Sequence, residues 1–399
     1  MPRTILDIHI LQTVPPSNLN RDDTGTPKSA IFGGVRRARV SSQAWKRATR
    51  KAFDDLLPAD ALGVRTKKVA EALAKRITAR NSALEKSAVH LAAATLEAAT
   101  GSRIEPPKRR PKNGEDDPAA PESSYLLFLS SRQLDALAEF AVEGGGPDGD
   151  VKTLKEYLKS KENKARAKQA VDARHSVDIA LFGRMVADSA DLNVEAAVQV
   201  AHAISVHKSE IESDYYTAVD DLSPDDESGA GMIGTVDFNS ATLYRYAALD
   251  VDELHRNLGA GLKDDEPPSA PVEKAVGAFL EAFITSLPTG KVNTFGNHTL
   301  PAAVIVKLRD RRPVSFVGAF EEPVPQGPGG GFLRESCARL AEYVPDLERQ
   351  YDIVSEEHSW VFRVGEETQV LAPLGAGVTL GVLVRDVTAA VAQRVGSGA

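Results

Sequence analysis

Residues 32–53 read FGGVRRARVSSQAWKRATRKAF, with seven Lys/Arg and no acid, in a 399-residue chain whose net charge is −8. Such a run repels itself unless something anionic neutralises it. From Ser42 onward the spacing predicts a helix with two faces. Trp45, Ala48, Thr49, Ala52 and Phe53 fall on one arc, and Lys46, Arg47, Arg50 and Lys51 fall on the other. Ser41 or Ser42 is a good N-cap, and a helix N-terminus adds its own attraction for phosphate. The stretch offers no acidic i,i+4 partner, which weakens the alternative of a merely solvated charged face. A basic helix face anchored by Trp45 and Phe53 points to a nucleic-acid cradle.

The length leaves room for two or three domains with a core large enough to stand unaided, and the composition is that of an ordinary soluble protein. The single cysteine, Cys337, excludes an internal disulfide and multi-cysteine zinc sites. There is no transmembrane run, and the N-terminal TILDIHILQ reads as a strand, not a signal-peptide core, so a cytoplasmic protein without membrane partners is expected. Overall acidity argues against indiscriminate nucleic-acid binding. The cations are clustered, however, while acids gather at residues 210–226. That polarity suits a protein gripping nucleic acid on one surface, or a subunit whose acidic part meets a neighbour's basic part.

Outward from the basic stretch, residues 4–12 alternate Leu6, Ile8 and Ile10 with Asp7 and His9, the pattern of a half-buried strand. VPPSNLNRDDTGTPKS, residues 14–29, reads as a loop. Apolar spacing predicts helices across residues 66–99, then near residues 131–142 and 151–171. The Pro- and charge-rich segment 101–124 reads as a disordered loop. HSVDIALFGRM is expected to be a strand, and residues 192–200 a helix. AHAISVHKSEI leads into an excursion of two extended arms around an acidic tip, and FNSATLYRYAAL returns as a strand. A helix over residues 272–287, the VIVKL and SFVGAF runs and GVTLGVLVRD close the core. The order gives an α+β palm with two excursions.

Four blocks in order, PPSNLNRDDTGTPKSAIFGGVRRARVSSQAWKRA, VDIALFGRM, AHAISVHKSEIESDYYTAVDDL and GAGMIGTVDFNSATLYRYA, resemble the Cascade backbone subunit of type I-E CRISPR systems. The resemblance implies a hand-like α+β fold: a modified RRM or ferredoxin-like palm (1–57, 174–207 and 237–399), a helical fingers insertion (58–173) and a β-hairpin thumb (208–236). It further implies a non-enzymatic, multi-subunit antiviral assembly. Several copies form a filament along the CRISPR RNA and kink it at intervals. They present it to target DNA alongside other Cascade subunits and a recruited nuclease-helicase. By the same resemblance the RNA contacts are Asn18, Arg21, Lys28 and Arg39, then Ser41, Ser42, Gln43, Lys46, Arg47 and Arg50. Arg184 and Met185 lie against the guide, and Tyr216, Thr217, Met232 and Ile233 act from the thumb. No metal or cofactor is implied.

These residue types suit the task. Lys and Arg hold phosphates without reading bases, as a binder of arbitrary sequence requires. Met232 and Ile233 on a Gly-rich tip would serve as wedges between stacked bases. RRM stacking aromatics are missing from the first strand, where Ile8 and Ile10 stand. Residues 229–234 satisfy GxGxxG, but no strand precedes them and no helix signal follows. His202 and His207 share neither a helix face nor a strand face. Adjacent Asp22 and Asp23 are the enzymatic rival, as recruiters of Mg²⁺ near bound RNA. The simpler alternative is a loop Asp bonded to its own backbone.

Overall fold

The computed structural model describes every residue except 1–2, 107–119, 173–174, 187–191, 219–231, 260–266, 268, 354–357 and 398–399. The middle of the 101–124 loop, the acidic tip and the first three residues of the GxGxxG match lie outside the described residues. The chain divides into two compact units, 1–53 with 198–251 and 276–399, and 54–197 with 252–275.

The first unit is built on a large mixed sheet. Its strands, numbered along the whole chain, are β1 (Ile5–Ser17), β2 (Ser29–Phe32), β3 (Val35–Val40), β8 (Val198–Val200), β9 (Ala203–Ser205), β10 (Glu212–Ala218), β11 (Met232–Asp250), β12 (Ala303–Arg309), β13 (Ser359–Arg363) and β14 (Ala376–Gly377). The order is β14-β13-β12-β1-β11-β9-β3-β2, with β8 and β10 also paired to β11. Among the described residues, only β13 and β14 pair in parallel. Helices α1 (Ser42–Leu56), α9 (Ala270–Thr285, from residue 276), α10 (Val292–Phe295), α11 (Leu333–Gln350) and α12 (Leu380–Ser397) complete the unit.

β1 is longer and more deeply set than a half-buried strand. It runs on through Pro15 and Pro16 to Ser17, with a register irregularity after Val14 that absorbs the missing amides. Both of its faces are covered. Ile8 and Ile10 lie on one; Leu11 on the other joins a core with Phe316, Phe320, Leu340 and Val344. The polar residues of that second face are therefore buried with partners. The Asp7 carboxylate accepts from the Tyr246 hydroxyl at 2.8 Å, Arg309 Nε at 2.6 Å and the Val314 amide at 3.0 Å. His9 shares a hydrogen bond with the Tyr244 hydroxyl at 2.9 Å and stacks on Phe316, ring centres 3.9 Å apart.

The basic stretch begins as a hairpin. Gly33 and Gly34 both have positive φ, 57° and 77°, and join β2 to β3 in a two-residue turn that needs left-handed backbone at both positions. Arg37 on β3 is fully buried and donates to four carbonyls, those of Phe32, Ser205, Phe320 and Glu321, so this cation ties sheet to loop.

The second unit holds the helices α2 (Val69–Arg80), α3 (Ala88–Thr100), α4 (Ser131–Gly145), α5 (Val151–Tyr157), α6 (Lys161–Asp172), α7 (Val177–Phe182) and α8 (Val251–Leu258). It also holds two small ladders, β4 (Gly63–Thr66) with β7 (Leu127–Ser130) and β5 (Ile104–Glu105) with β6 (Glu122–Ser123). Leu73, Ile77, Leu91, Leu137, Leu154 and Val171 share one core. Three expectations fail here or at its border. The lysine-rich segment 151–171 forms two helices. HSVDIALFGRM forms α7 over residues 177–182, ended at Gly183 with φ 79°; the acidic Asp178 stands in its first turn, where Oδ1 accepts from the Ser176 hydroxyl and the Ile179 amide. Residues 192–200 form no helix; their apolar members feed the short β8.

His175 sets an acid limit in this unit. It pairs with Gln133 Nε2 at 3.0 Å, and burial, with the nearby Arg184 charge adding, pushes it from 6.5 to about 4. The folded state thus holds it neutral while the unfolded chain takes the proton first. Its stabilising effect is complete above about pH 6.5 and is lost as pH falls toward 4, at up to about 1.4 kcal/mol per unit. Fully buried His9, also pushed well below 6.5 by burial, acts in the same direction. Denaturation midpoints at pH 7 and pH 5 are expected to differ more for the wild-type chain than for His175→Gln; equal differences would refute the assignment.

Candidate nucleic-acid interface

α1 is fixed by one apolar stripe, in which Trp45, Thr49 and Phe53 are buried. The Arg245 guanidinium of β11 lies 3.8 Å from the centre of the Trp45 ring and 4.7 Å from that of Phe283. Arg245 Nη1 donates to Gln12 Oε1 at 2.7 Å and Nη2 to the Phe283 carbonyl. Burial lowers Arg245 to about 9, so it remains a cation at neutral pH. A buried charge sandwiched between two aromatic rings therefore sets how α1 sits on the sheet.

That seating turns another stripe of α1 toward a cleft of about 710 Å³. Gln43, Arg47 and Lys51, spaced four apart, line one wall, and Ser41 stands at its start. Ser41 caps the helix by accepting from the Ala44 amide, and its own amide donates to Asn20 Oδ1 at 2.9 Å. The first loop brings Arg21 and Lys28, and residues 287–291 bring Lys291. Five cations thus line the cleft, and its lining includes no carboxylate. None of the five makes an ion pair among the described residues, whereas Lys75, Arg76, Arg80, Lys159 and Arg166 of the second unit all do. Asp237 lies near enough to feel the Lys291 charge, but five like charges in one concavity without a contact ion pair among the described residues form a site for a polyanion.

The remaining expected residues divide by burial. Asn18 is 0 % exposed and donates to the carbonyls of Gly25 and Asp237, so it holds the first loop instead of offering an amide outward. Arg39 donates to the Ser29 carbonyl and meets His202 Nδ1 at 3.0 Å. Ser42 is half-buried at the helix start. Lys46 and Arg50 do not line the cleft. Lys46 is half-buried, and burial lowers its pKa. α1 also runs past Phe53, which puts Asp54 and Asp55 four residues after Arg50 and Lys51, so the expectation of no acid one turn away fails. Arg184 lies in the second unit. It is 5 % exposed, its guanidinium donates to the carbonyls of Leu192 and Val171, and burial lowers it to about 10. Its neighbour Met185 is 85 % exposed. Sequence spacing missed Lys291, because nothing local in LPTGK marks it as a neighbour of α1.

β10 and β11 form an arm that continues beyond the part of β11 paired with β1. The register sets Thr217 opposite Ile233 and Tyr216 opposite Gly234, where the tyrosine ring covers the missing side chain. Met232 and Ile233 are 54 % and 68 % exposed, and Tyr215 and Tyr216 are exposed as well. The apolar arm residues are thus not folded back into the core.

Asp22 is a loop Asp bonded to its own backbone. Its Oδ1 accepts from the Thr24 amide and hydroxyl and the Thr26 amide, and the Thr24 bond leads in lowering its pKa. No group of three or more His, Cys, Asp or Glu suited to a metal occurs among the described residues. His207 is structural: Nε2 accepts from the Thr242 amide and the ring stacks on Phe332.

The model of the family described as CT1975-like protein matches residues 6–384. The chain belongs to that family. Two chains of solved structures resemble this CT1975-like protein over nearly its whole length. One, from a structure titled "CRISPR RNA-guided surveillance complex, pre-nicking", is 32 % identical with a TM-score of 0.78, covering 96 % of this chain and 100 % of that one. Another, titled "CRISPR RNA-guided surveillance complex", is 29 % identical with a TM-score of 0.69, covering 97 % and 99 %. No curated protein matches the CT1975-like chain significantly.

Proposed function

We propose that this CT1975-like protein is the guide-RNA-binding backbone subunit of a CRISPR surveillance complex of the Cascade type, without catalytic activity of its own. The cleft lined by Arg21, Lys28, Arg47, Lys51 and Lys291 takes the sugar–phosphate chain of the CRISPR RNA. Its cations read no base, which suits guides of any sequence. On this reading the sheet is an elaborated RRM-type palm, the second unit the fingers, and the β10–β11 arm a thumb that reaches a neighbouring copy's RNA. There Tyr216, Thr217, Met232 and Ile233 press between bases and kink the strand, offsetting an unstacking cost of a few kcal/mol. Repetition along the guide gives a filament whose outward bases pair with target DNA. Other Cascade subunits and a nuclease-helicase complete the assembly. A soluble, cytoplasmic complex fits this role.

The carrying observation is the group of five cleft cations with no ion pair among the described residues. The decisive experiment is purification from a host expressing a CRISPR array together with the partner subunits. Short RNA is expected to accompany the protein through size exclusion, and ribonuclease treatment to collapse the large species. An assembly that carries no RNA and survives ribonuclease would refute the reading in favour of a protein–protein adaptor.

A further inference from the structure

The cleft has a second jaw that the basic stretch does not supply. Residues 287–291, LPTGK, form the wall joined to α9, and Lys291 stands on it facing the same space as Arg47 and Lys51. Two features fix that wall. A Cβ on Gly290 would come within 2.3 Å of the carbonyl oxygens of Asn18 and Leu19, so backbone lies directly on backbone and only glycine permits the approach. Lys291 then takes φ 44° and ψ 32°, the left-handed conformation that a residue with a Cβ disfavours. Asn or Gly suits such a position better. The Lys291 carbonyl accepts from the Thr294 and Phe295 amides at the start of α10, a role that needs no lysine side chain, while the Lys291 amine acts on Asp237 through space and makes no ion pair among the described residues.

We propose that Lys291 is a phosphate-binding residue and that residues 289–291 are a preformed jaw closing on the RNA backbone opposite α1. This deepens the guide-RNA reading of the same cleft and rests on it. The loop is held at a set distance from Asn18, which itself ties Gly25 and Asp237. The amine is therefore positioned before RNA arrives, and less ordering is needed on binding.

The test uses the full chain, a fluorescein-labelled single-stranded RNA of mixed sequence, and thermal melting of each variant. Lys291→Asn keeps the left-handed backbone and removes the charge. It is expected to melt at or above the wild-type temperature, bind RNA roughly threefold to tenfold more weakly, and flatten the log–log salt slope by about 0.7. Lys291→Gly should behave alike, and Lys291→Arg should retain affinity. Wild-type affinity and salt slope in Lys291→Asn, while removal of Arg47 and Lys51 still weakens binding, would overturn this proposal alone. A wild-type chain that binds no RNA at low salt would overturn the guide-RNA reading and this proposal with it.

Discussion

Replacing Arg47 and Lys51 together with alanine is expected to weaken single-stranded RNA binding by roughly thirtyfold to a hundredfold, at about 1–1.5 kcal/mol for each lost charge-assisted contact. Both side chains are exposed on the cleft wall and neither makes an ion pair among the described residues. Removing them strands no partner, and folding stability should stay within about 0.5 kcal/mol of wild type. The salt dependence gives a second reading of the same substitution. Five phosphate contacts predict a slope of about −3.5 in log K against log salt, and three predict about −2.1. The intact cleft should therefore lose about a hundredfold in affinity between roughly 50 and 200 mM salt, and the variant about twentyfold. The effect should be independent of RNA sequence, since these cations meet no base edge. An unchanged slope in the double variant would show that the phosphates bind elsewhere.

The two faces of α1 were legible because both depend on one period within one helix. Trp45 and Phe53 are buried, and Arg47 and Lys51 line the cleft, as the spacing predicts. What spacing cannot supply is the part of the site made by tertiary contact. Lys291 reaches the cleft through the fit of Gly290 against Asn18 and Leu19, a backbone approach between segments some 270 positions apart in sequence. Burial was equally hidden. Arg37 and Arg184 look like any other cations in a sequence, yet carbonyls at the ends of strands and helices claim their guanidinium groups. The misreading of VDIALF as a strand has a local cause: its apolar run is too short for periodicity to arbitrate, and the acidic Asp178 falls in the first turn of a helix, bonded to the Ser176 hydroxyl and the Ile179 amide. β1 was read as half-buried because Asp7 and His9 looked like a solvent face; distant Arg309 and Phe316 cover them.

Trp45→Ala is expected to be the most destabilising single substitution at the site, costing about 3–5 kcal/mol in chemical denaturation. Part is the cavity left by a large side chain that is 1 % exposed. Part is electrostatic, because the Arg245 charge would lose the nearer of its two aromatic faces and remain buried. The two parts separate in a double-mutant cycle with Arg245→Met, a replacement that removes the charge and keeps an apolar stem. In that background Trp45→Ala should cost about 1–2 kcal/mol less than in the wild-type chain, the worth of a desolvated cation–π contact. Strictly additive costs would mean that the stacking contributes nothing. The same cycle links packing to binding. Trp45 is the largest buried anchor of α1, and rotation of the helix about its own axis would swing Gln43, Arg47 and Lys51 out of line with Lys291 on the opposite jaw. RNA affinity measured on folded Trp45→Phe, which keeps an aromatic face for Arg245, should therefore stay close to wild type. Folded Trp45→Leu, which fills space without a π-face, should bind more weakly although every cleft cation is still present.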